Sequence, residues 1–408
     1  MRLDLYALKF IKATLWLITV GLGLLSCWAT NTLEAKPQSN LQALIGDRDA
    51  IFVTDPYGSI IFSKNADKKL VPASTLKIFT ALVALHYLGP DYRFRTEFYL
   101  DKNQNLMIKG YGDPLLISEI VADIAATLGN RLTAINNIVL DDTYFTQPLT
   151  IPGISSSTEP YDAPNGALCV NFNTVSFKKF NKKYISAEPQ TPLLPYALNR
   201  IKKTELNAGR IVLSHASNES TLYAGHLFRY FIKAQGIQTG TTVRLGRAQK
   251  ENDRLIYTYI SRFSLEDIIT KLLEHSNNYT TNQILITAGI RQYGPPGTLV
   301  KGVMAANTFA KDRLQLNNFF ITEGSGISRE NRISAANLHK VLEAFQPYRR
   351  LMRHEGGEYY KTGTLLGIST RAGYIENLEG KIFRYVVLIN TPGRSTDRVM
   401  KKLRSVLD

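Results

Sequence analysis

The period of the apolar positions changes several times along the chain, and each change predicts an element. Ala50-Ile51-Phe52-Val53-Thr54 and Ser59-Ile60-Ile61-Phe62 are β-rich runs either side of Asp55-Pro56-Tyr57-Gly58, which predicts an antiparallel hairpin. Next, Leu76, Phe79, Val83 and Tyr87 fall at i, i+3, i+7 and i+11, with Ala81, Leu82 and Leu85 widening the apolar face. This spacing predicts a buried helix of about 12 to 14 residues, with Pro72 and Ser74 as start signals. Residues 93–109 carry a strand pattern, Gly110-Tyr111-Gly112-Asp113-Pro114 is a tight loop, Ser118 to Leu128 is helical and Asn136 to Asp142 is a strand. A Pro-, Gly- and Ser-rich loop follows through Pro164, and residues 167–250 alternate short β-rich runs with turns, with one helix near Tyr223 to Gln235. The helical period resumes at Ser264, with helices through Leu273 and at 280–290, 298–310 and 334–346. Tyr359 to Leu365, Thr370 to Ile375 and Ile382 to Asn390 are β-rich again, and Ser395 to Leu407 is an amphipathic closing helix.

Strands at both ends with helices between them predict an α/β fold in which the two termini close one sheet and helices pack on its faces. The texture of residues 93–255 differs, and no catalytic constellation falls there. The predicted organisation is therefore an outer domain of residues 49–92 and 256–408, a β-rich module inserted at 93–255, and a polar linker at 30–48. Ahead of the linker, Arg2, Lys9 and Lys12 precede an uncharged apolar run from Ala13 to Ser26, the layout of a secretory signal over residues 1–29. Cys27-Trp28-Ala29 offers a cleavage site, and Leu24-Leu25-Ser26-Cys27 offers the alternative of a lipoprotein box with Cys27 lipidated. Either route places the protein in the periplasm or cell envelope.

Composition alters this picture in two respects. The net charge of +15 suits anionic lipid or wall polymer as a surface partner, whereas the basic residues are scattered and no nucleic-acid-binding motif occurs. Of two cysteines, Cys27 and Cys169, the second is left alone once the first is cleaved or lipidated, so no disulfide framework forms, and Leu168 and Val170 mark Cys169 as a buried thiol. No metal-ligand spacing and no cofactor motif appears. The oligomeric state is left open.

The candidate chemistry lies in three short motifs of the outer parts: Ser74-Thr75-Leu76-Lys77, Ser276-Asn277-Asn278 and Lys361-Thr362-Gly363. Each is weak alone, since Ser176-Phe177-Lys178-Lys179 and Ser63-Lys64-Asn65 repeat the first two patterns. Their order and setting add weight: the first opens an apolar helix, the second follows a helix end, the third sits on a terminal β-rich run. A Ser and a Lys three apart on a helix share a face, and a lysine buried in apolar surroundings can lose its proton and serve as a base for the hydroxyl. Ser276 can pass a proton to a leaving nitrogen, and the Asn278 amide can hold a substrate carbonyl or the Lys77 amine. Lys361 and Thr362 suit a substrate carboxylate, and Gly363 permits close approach of a strand.

S-x-x-K, S-x-N and K-T-G in this order are the signature of penicillin-binding proteins and serine β-lactamases. Within that group the sequence most resembles the S13 serine peptidases, D-alanyl-D-alanine carboxypeptidases of the low-molecular-mass class C penicillin-binding proteins. About 200 residues separate Lys77 from Ser276, as a large insertion does in that family. Gly112-Asp113-Pro114, Tyr161-Asp162-Ala163-Pro164 with Ala167-Leu168-Cys169-Val170-Asn171, and Gly324-Ser325-Gly326-Ile327-Ser328-Arg329-Glu330-Asn331-Arg332 resemble further family stretches. The resemblance implies a transpeptidase/β-lactamase-like domain with two small domains in the insertion, one of them reduced. It implies Ser74 as nucleophile, Lys77 as its base, Ser276 and Asn278 as proton relay and substrate contact, Lys361 and Thr362 as carboxylate contacts, and the N–H groups of Ser74 and Thr364 as oxyanion hole.

The implied activity is cleavage of the terminal D-Ala-D-Ala bond of peptidoglycan stem peptides, with endopeptidase action on cross-links as an extension and β-lactams as covalent inhibitors. A β-lactamase is the competing enzyme, but the E-x-x-L-N pattern of class A enzymes is absent: before Leu206-Asn207, Lys203 stands where the glutamate belongs. A wall-binding scaffold without catalysis is the third reading, and it does not need the full set of polar motifs. His275 next to Ser276 invites a Ser–His pairing, but Lys77 already fills the base role. Asp113, Ser325 and Arg329 are expected to serve turn and loop bonding.

Overall fold

In the computed structural model, which describes residues 41–407 apart from Ser217, both ends of the chain build one six-stranded antiparallel sheet. Its order is Arg353–Glu355, Glu358–Leu365, Ile368–Glu376, Ile382–Ile389, Asp49–Thr54 and Ile60–Lys64. Asp49 lies opposite Ile389 and Thr54 opposite Arg384, so the hairpin near the start is completed by the last strand, as the terminal β-rich runs predict. Period-two alternation covers both faces. Ile51, Val53, Tyr385, Val387 and Ile389 pack against Val399, Met400 and Leu403 of helix Thr396–Leu407, and against Leu41 and Ile45. Ala50, Val386 and Leu388 face the opposite way, into the cluster of helices Leu76–Leu88 and Ala335–Phe345.

Helix Leu76–Leu88, of 13 residues, is buried on every side from Leu76 to Leu85. Helices Leu265–His275, Asn278–Tyr293 and Leu299–Asp312 pack around it. A helix at the centre of a domain is apolar all round, which is what makes Lys77 conspicuous within it. The expected signal segment, residues 1–29, lies outside the described residues, as does most of the linker. Among the described residues no helix is long and apolar enough to cross a membrane.

Besides a parallel pair of two-residue strands, Ala134–Ile135 with Gln238–Thr239, the inserted module holds two larger sheets. Val243–Leu245, Ile138–Asp141, Leu106–Gly110, Arg95–Leu100 and Arg254–Ile260 form one, in that order; Lys183–Ser186, Thr174–Phe180 and Ala208–Val212 form the other. Three strands of the first sheet run parallel and so need crossovers, which helices Ser118–Gly129 and Glu219–Ala234 supply. Both crossover helices fall where the sequence pattern predicts them, the second beginning four residues earlier. Helix Pro195–Lys202 was not expected; eight residues give barely two turns of periodic signal. One apolar cluster runs through both sheets, joining Phe98, Leu140 and Leu227 to Val175, Phe177, Ala197 and Ile211. The two sheets therefore share a core. Arg254–Ile260 pairs with Arg95–Leu100, which moves the return to the outer domain from residue 255 to just after Ile260.

Two of the further motifs dock this module. Gln283, on helix Asn278–Tyr293, donates from Nε2 to the carbonyls of Gly112 and Gly166, 3.0 Å each. Its Oε1 accepts from Asn165 Nδ2 at 3.0 Å, and the same amide donates to Tyr279 O at 2.9 Å. The segments around Gly112 and Gly166 are thereby fastened to the helix whose first residue is Asn278.

Candidate active site

Ser74 sits in a single 3-10 turn, Ala73–Thr75, that leads into helix Leu76–Leu88. Several unrelated elements hold that turn. Asn390, at the end of strand Ile382–Ile389, accepts from Val71 N–H at 2.9 Å and donates to Val71 O at 3.1 Å. Thr370 Oγ1 donates to Pro72 O at 2.7 Å, and Thr75 Oγ1 donates to the same carbonyl at 2.6 Å. Ala73 has φ +46°, a left-handed conformation that a non-glycine residue adopts only when its surroundings enforce it.

Two glycines let neighbouring backbone reach this turn. A Cβ on Gly363 would lie 2.6 Å from Ser74 N and 2.4 Å from Thr370 Oγ1. A Cβ on Gly326, itself at φ +83°, would lie 1.9 Å from Ala73 O. The Lys361 strand and the loop after Glu323 thus pass the nucleophile turn at distances no side chain tolerates, so the glycine of the third motif is a close-approach residue.

Lys77 is fully buried, and its Nζ has three neighbours: Ser74 Oγ at 2.8 Å, Asn278 Oδ1 at 2.8 Å and Ser325 O at 2.6 Å. Burial pushes this amine well below its ordinary lysine value, the charge of Lys361 adds to the shift, and Glu323 opposes it. Asn278 is fixed from its other side by donating from Nδ2 to Tyr161 O at 3.3 Å. Lys361 is 4% exposed, donates to Thr362 O at 2.9 Å, and is lowered to about 8 by burial and by the charge of Arg353. Thr362 and Thr364 are exposed on the same strand.

Strand Arg353–Glu355 pairs only with Glu358–Tyr360, which leaves Lys361–Leu365 as an open sheet edge beside Ser74. At the end of this edge a cavity of about 560 Å³ opens between Leu365, Tyr161 and Gly153 of the module, and Ile327 to Glu330.

The structure brings Ser74, Lys77 and Asn278 into direct contact and runs Gly363 against them. Ser276 caps helix Leu265–His275 in a left-handed conformation, φ +56°. Among the described residues its hydroxyl has no hydrogen-bond partner. His275 is exposed and lies 3.9 Å from Glu274. Asp113 Oδ1 accepts from Leu115 N–H at 2.9 Å, and burial pushes its carboxyl up to about 6. Arg329 donates to Leu366 O at 2.6 Å, tying the loop to the far end of the open edge. Cys169 is buried, its thiol pushed up to about 12 by desolvation, with Asn173 Nδ2 3.0 Å from its sulfur.

Glu323 is a site residue the sequence pattern missed. It is completely buried and meets only donors. Oε2 accepts from Ser325 N–H and Oγ–H, 2.6 Å each, and from Asn282 Nδ2 at 3.1 Å. Oε1 accepts from Gly326 N–H and Asn331 Nδ2, 2.7 Å each, and from Ser328 N–H at 3.3 Å. The loop that presents Ser325 O to Lys77 is wound around this carboxylate. An acid directly ahead of Gly-Ser-Gly was the available signal, because small residues let successive N–H groups turn toward one anion.

The chain is similar to known proteins over most of its length. A sequence profile of the D-Ala-D-Ala carboxypeptidase 3 (S13) family matches residues 33–205 and 205–355. The chain belongs to that family of serine-type D-Ala-D-Ala carboxypeptidases. It is 24% identical over 418 residues to a D-alanyl-D-alanine carboxypeptidase of Actinomadura sp. (strain R39), covering 83% of this chain and 77% of the relative. In fold it is similar to penicillin binding protein 4 of Haemophilus influenzae, with a TM-score of 0.73 at 19% identity over 90% of this chain and 98% of the other. A second structure of that protein, complexed with a β-lactam, gives 0.70 at 19% identity with the same coverage. The shared fold bears out the expected transpeptidase-like α/β domain with its insertion.

Proposed function

We propose that the protein is an exported serine DD-peptidase that cleaves the terminal D-Ala-D-Ala bond of peptidoglycan stem peptides, and peptide cross-links of the same type, through an acyl-enzyme on Ser74. The observation that carries this reading is the valence at Lys77 Nζ. A neutral amine has two hydrogens and one lone pair; the carbonyl oxygens of Asn278 and Ser325 take both hydrogens, so the lone pair is left for the Ser74 hydroxyl. Lys77 then takes the proton from Ser74 Oγ as that oxygen bonds to the carbonyl carbon of the penultimate D-Ala. The oxyanion forms between the N–H groups of Ser74 and Thr364. Ser276 passes the proton from Lys77 to the departing D-Ala nitrogen, and water later releases the acyl group by the same route in reverse. Lys361 and Thr362 hold the terminal carboxylate. The substrate lies along the open edge Lys361–Leu365 as an added strand, with the cavity beyond Leu365 as room for its side chains. A β-lactam, which the similar Haemophilus protein is seen to bind, acylates the same hydroxyl.

The test is an intact mass after incubation with benzylpenicillin, followed by peptide mapping and an assay of D-Ala release. One penicilloyl adduct on the peptide containing Ser74, together with D-Ala release, is expected. An adduct elsewhere, or penicillin turnover without D-Ala release, sinks the proposal.

The same geometry sets a pH profile. Lys77 must be neutral to act, and burial lowers its pKa, so kcat/KM rises with pH through a limb that lies below the ordinary lysine range. Lys361 must be charged to hold the carboxylate, so kcat/KM falls as pH rises through about 8. Because Arg353 contributes to that lowering, Arg353→Gln is expected to move the descending limb to higher pH. A descending limb near the ordinary lysine value would show that burial and Arg353 do not lower Lys361, and a descending limb that Arg353→Gln leaves in place would show that Lys361 does not bind the substrate as its ammonium.

A further inference from the structure

The outer face of the three-stranded sheet has a composition the proposed reaction does not use. Strands Thr174–Phe180 and Lys183–Ser186 are joined by Asn181 and Lys182, at φ +47° and +62°, a tight two-residue turn of the kind that makes a rigid hairpin. On the inner face Val175 and Phe177 enter the module's core, and Lys179 lies 5.4 Å from the Tyr184 ring opposite it. The outer face alternates cation and apolar group across the ladder: Lys178 lies opposite Ile185, and Phe180 opposite Lys183. Phe180 is 61% exposed and Ile185 38%. Lys178, Lys179, Lys182 and Lys183 are all exposed, and residues 174–186 contain no acid. The adjoining loop, placed by the hydrogen bond from Lys179 N–H to Asn207 O, adds the exposed Lys203 and Leu206 against one acid, Glu205. Glu188, the nearest acid after the hairpin, is engaged by Arg210.

We propose that this hairpin face docks the protein on an anionic phospholipid bilayer, with Phe180 and Ile185 entering the headgroup boundary and the flanking lysines meeting lipid phosphates. Exposed aromatic and aliphatic groups with interleaved lysines are what an interfacial site requires. A purely polyanionic wall polymer would satisfy the lysines but leave the apolar groups in water. A second copy packed face to face would set lysines against lysines. Position supports the role as well. Strand Ala208–Val212 starts beside the hairpin tip and ends where Val212 N–H bonds Thr158 O, three residues from Tyr161 at the rim of the Ser74 groove. Its five residues put the tip ~13 Å further out, so docking leaves the groove open.

The experiment is cosedimentation of the purified protein with vesicles of phosphatidylcholine alone, or in equal parts with phosphatidylglycerol, at low and high salt. Lys178→Glu with Lys183→Glu, and separately Phe180→Ser, are compared with the parent, and penicilloylation shows that each variant is folded. Any contribution from the N-terminal segment is common to all three proteins and cancels in their ratios. Expected are salt-sensitive binding to the anionic vesicles only, a loss of about a hundredfold in partitioning for the double charge reversal, and about tenfold for Phe180→Ser. The proposal is overturned if the variants partition like the parent, or if neutral vesicles bind equally well. It is also overturned if the substitutions change only the oligomeric state or only retention on an anionic wall polymer.

Discussion

Replacing Lys77 by methionine is expected to slow acylation of Ser74 by benzylpenicillin about a hundred- to ten-thousandfold, the range general-base catalysis covers. The side chain is fully buried in an apolar helix, so methionine fills nearly the same volume and removes a desolvated amine. The carbonyl oxygens of Asn278 and Ser325 lose one donor each, at about 1–3 kcal/mol apiece where water does not replace it, so a modest fall in melting temperature is expected, without unfolding. Lys77→Arg separates charge from base: guanidinium keeps its proton at any working pH, and acylation should fail as badly as in the methionine variant. Time-resolved intact mass at fixed penicillin concentration gives both rates. If either variant acylated within about tenfold of the parent, another group would be the base, and the valence argument at Nζ would be wrong.

How far the chain disclosed this site depends on the physical source of each signal. The terminal sheet and helix Leu76–Leu88 are written in periodicity, because a strand with one face in each core alternates and a central helix is apolar all round. Decoys are separated by the same geometry. Ser176 and Lys179 lie on a strand, where i and i+3 point to opposite faces, whereas Ser74 and Lys77 share one turn of helix. The order of the three motifs anticipated Ser74, Lys77 and Asn278, which the structure joins by hydrogen bonds of 2.8 Å. Gln283 and Asn390 left no such trace, and Glu323 left only its place directly ahead of Gly-Ser-Gly. Gln283 and Asn390 act through hydrogen bonds between segments far apart in sequence, whereas Glu323 gathers mainly its own loop, and a single buried polar residue has no period. The shared core of the inserted module was hidden for a related reason: its apolar runs are short, and nothing in a run of five residues says which sheet faces it.

Glu323→Gln is expected to lower the acylation rate by about one to two orders of magnitude and to destabilise the domain by a few kcal/mol, although it changes one atom. A carboxylate offers two acceptor oxygens, and each already meets three donors in this loop. Glutamine keeps one oxygen and turns an NH₂ toward donors, so one of the two sets is left unpaired in a buried place whichever way the amide faces. The loop must then open, and the carbonyl of Ser325, 2.6 Å from Lys77 Nζ, moves with it. The variant also removes the negative charge that opposes the lowering of Lys77. If the loop held its place, the ascending limb of the kcat/KM profile would shift to lower pH with the maximum little changed. If the loop moves, as expected, the maximum falls and Glu323→Asp recovers part of it, because a carboxylate is restored at shorter reach. Equal losses in the Gln and Asp variants, with unchanged melting temperatures, would show that Glu323 neither holds the loop nor positions Lys77.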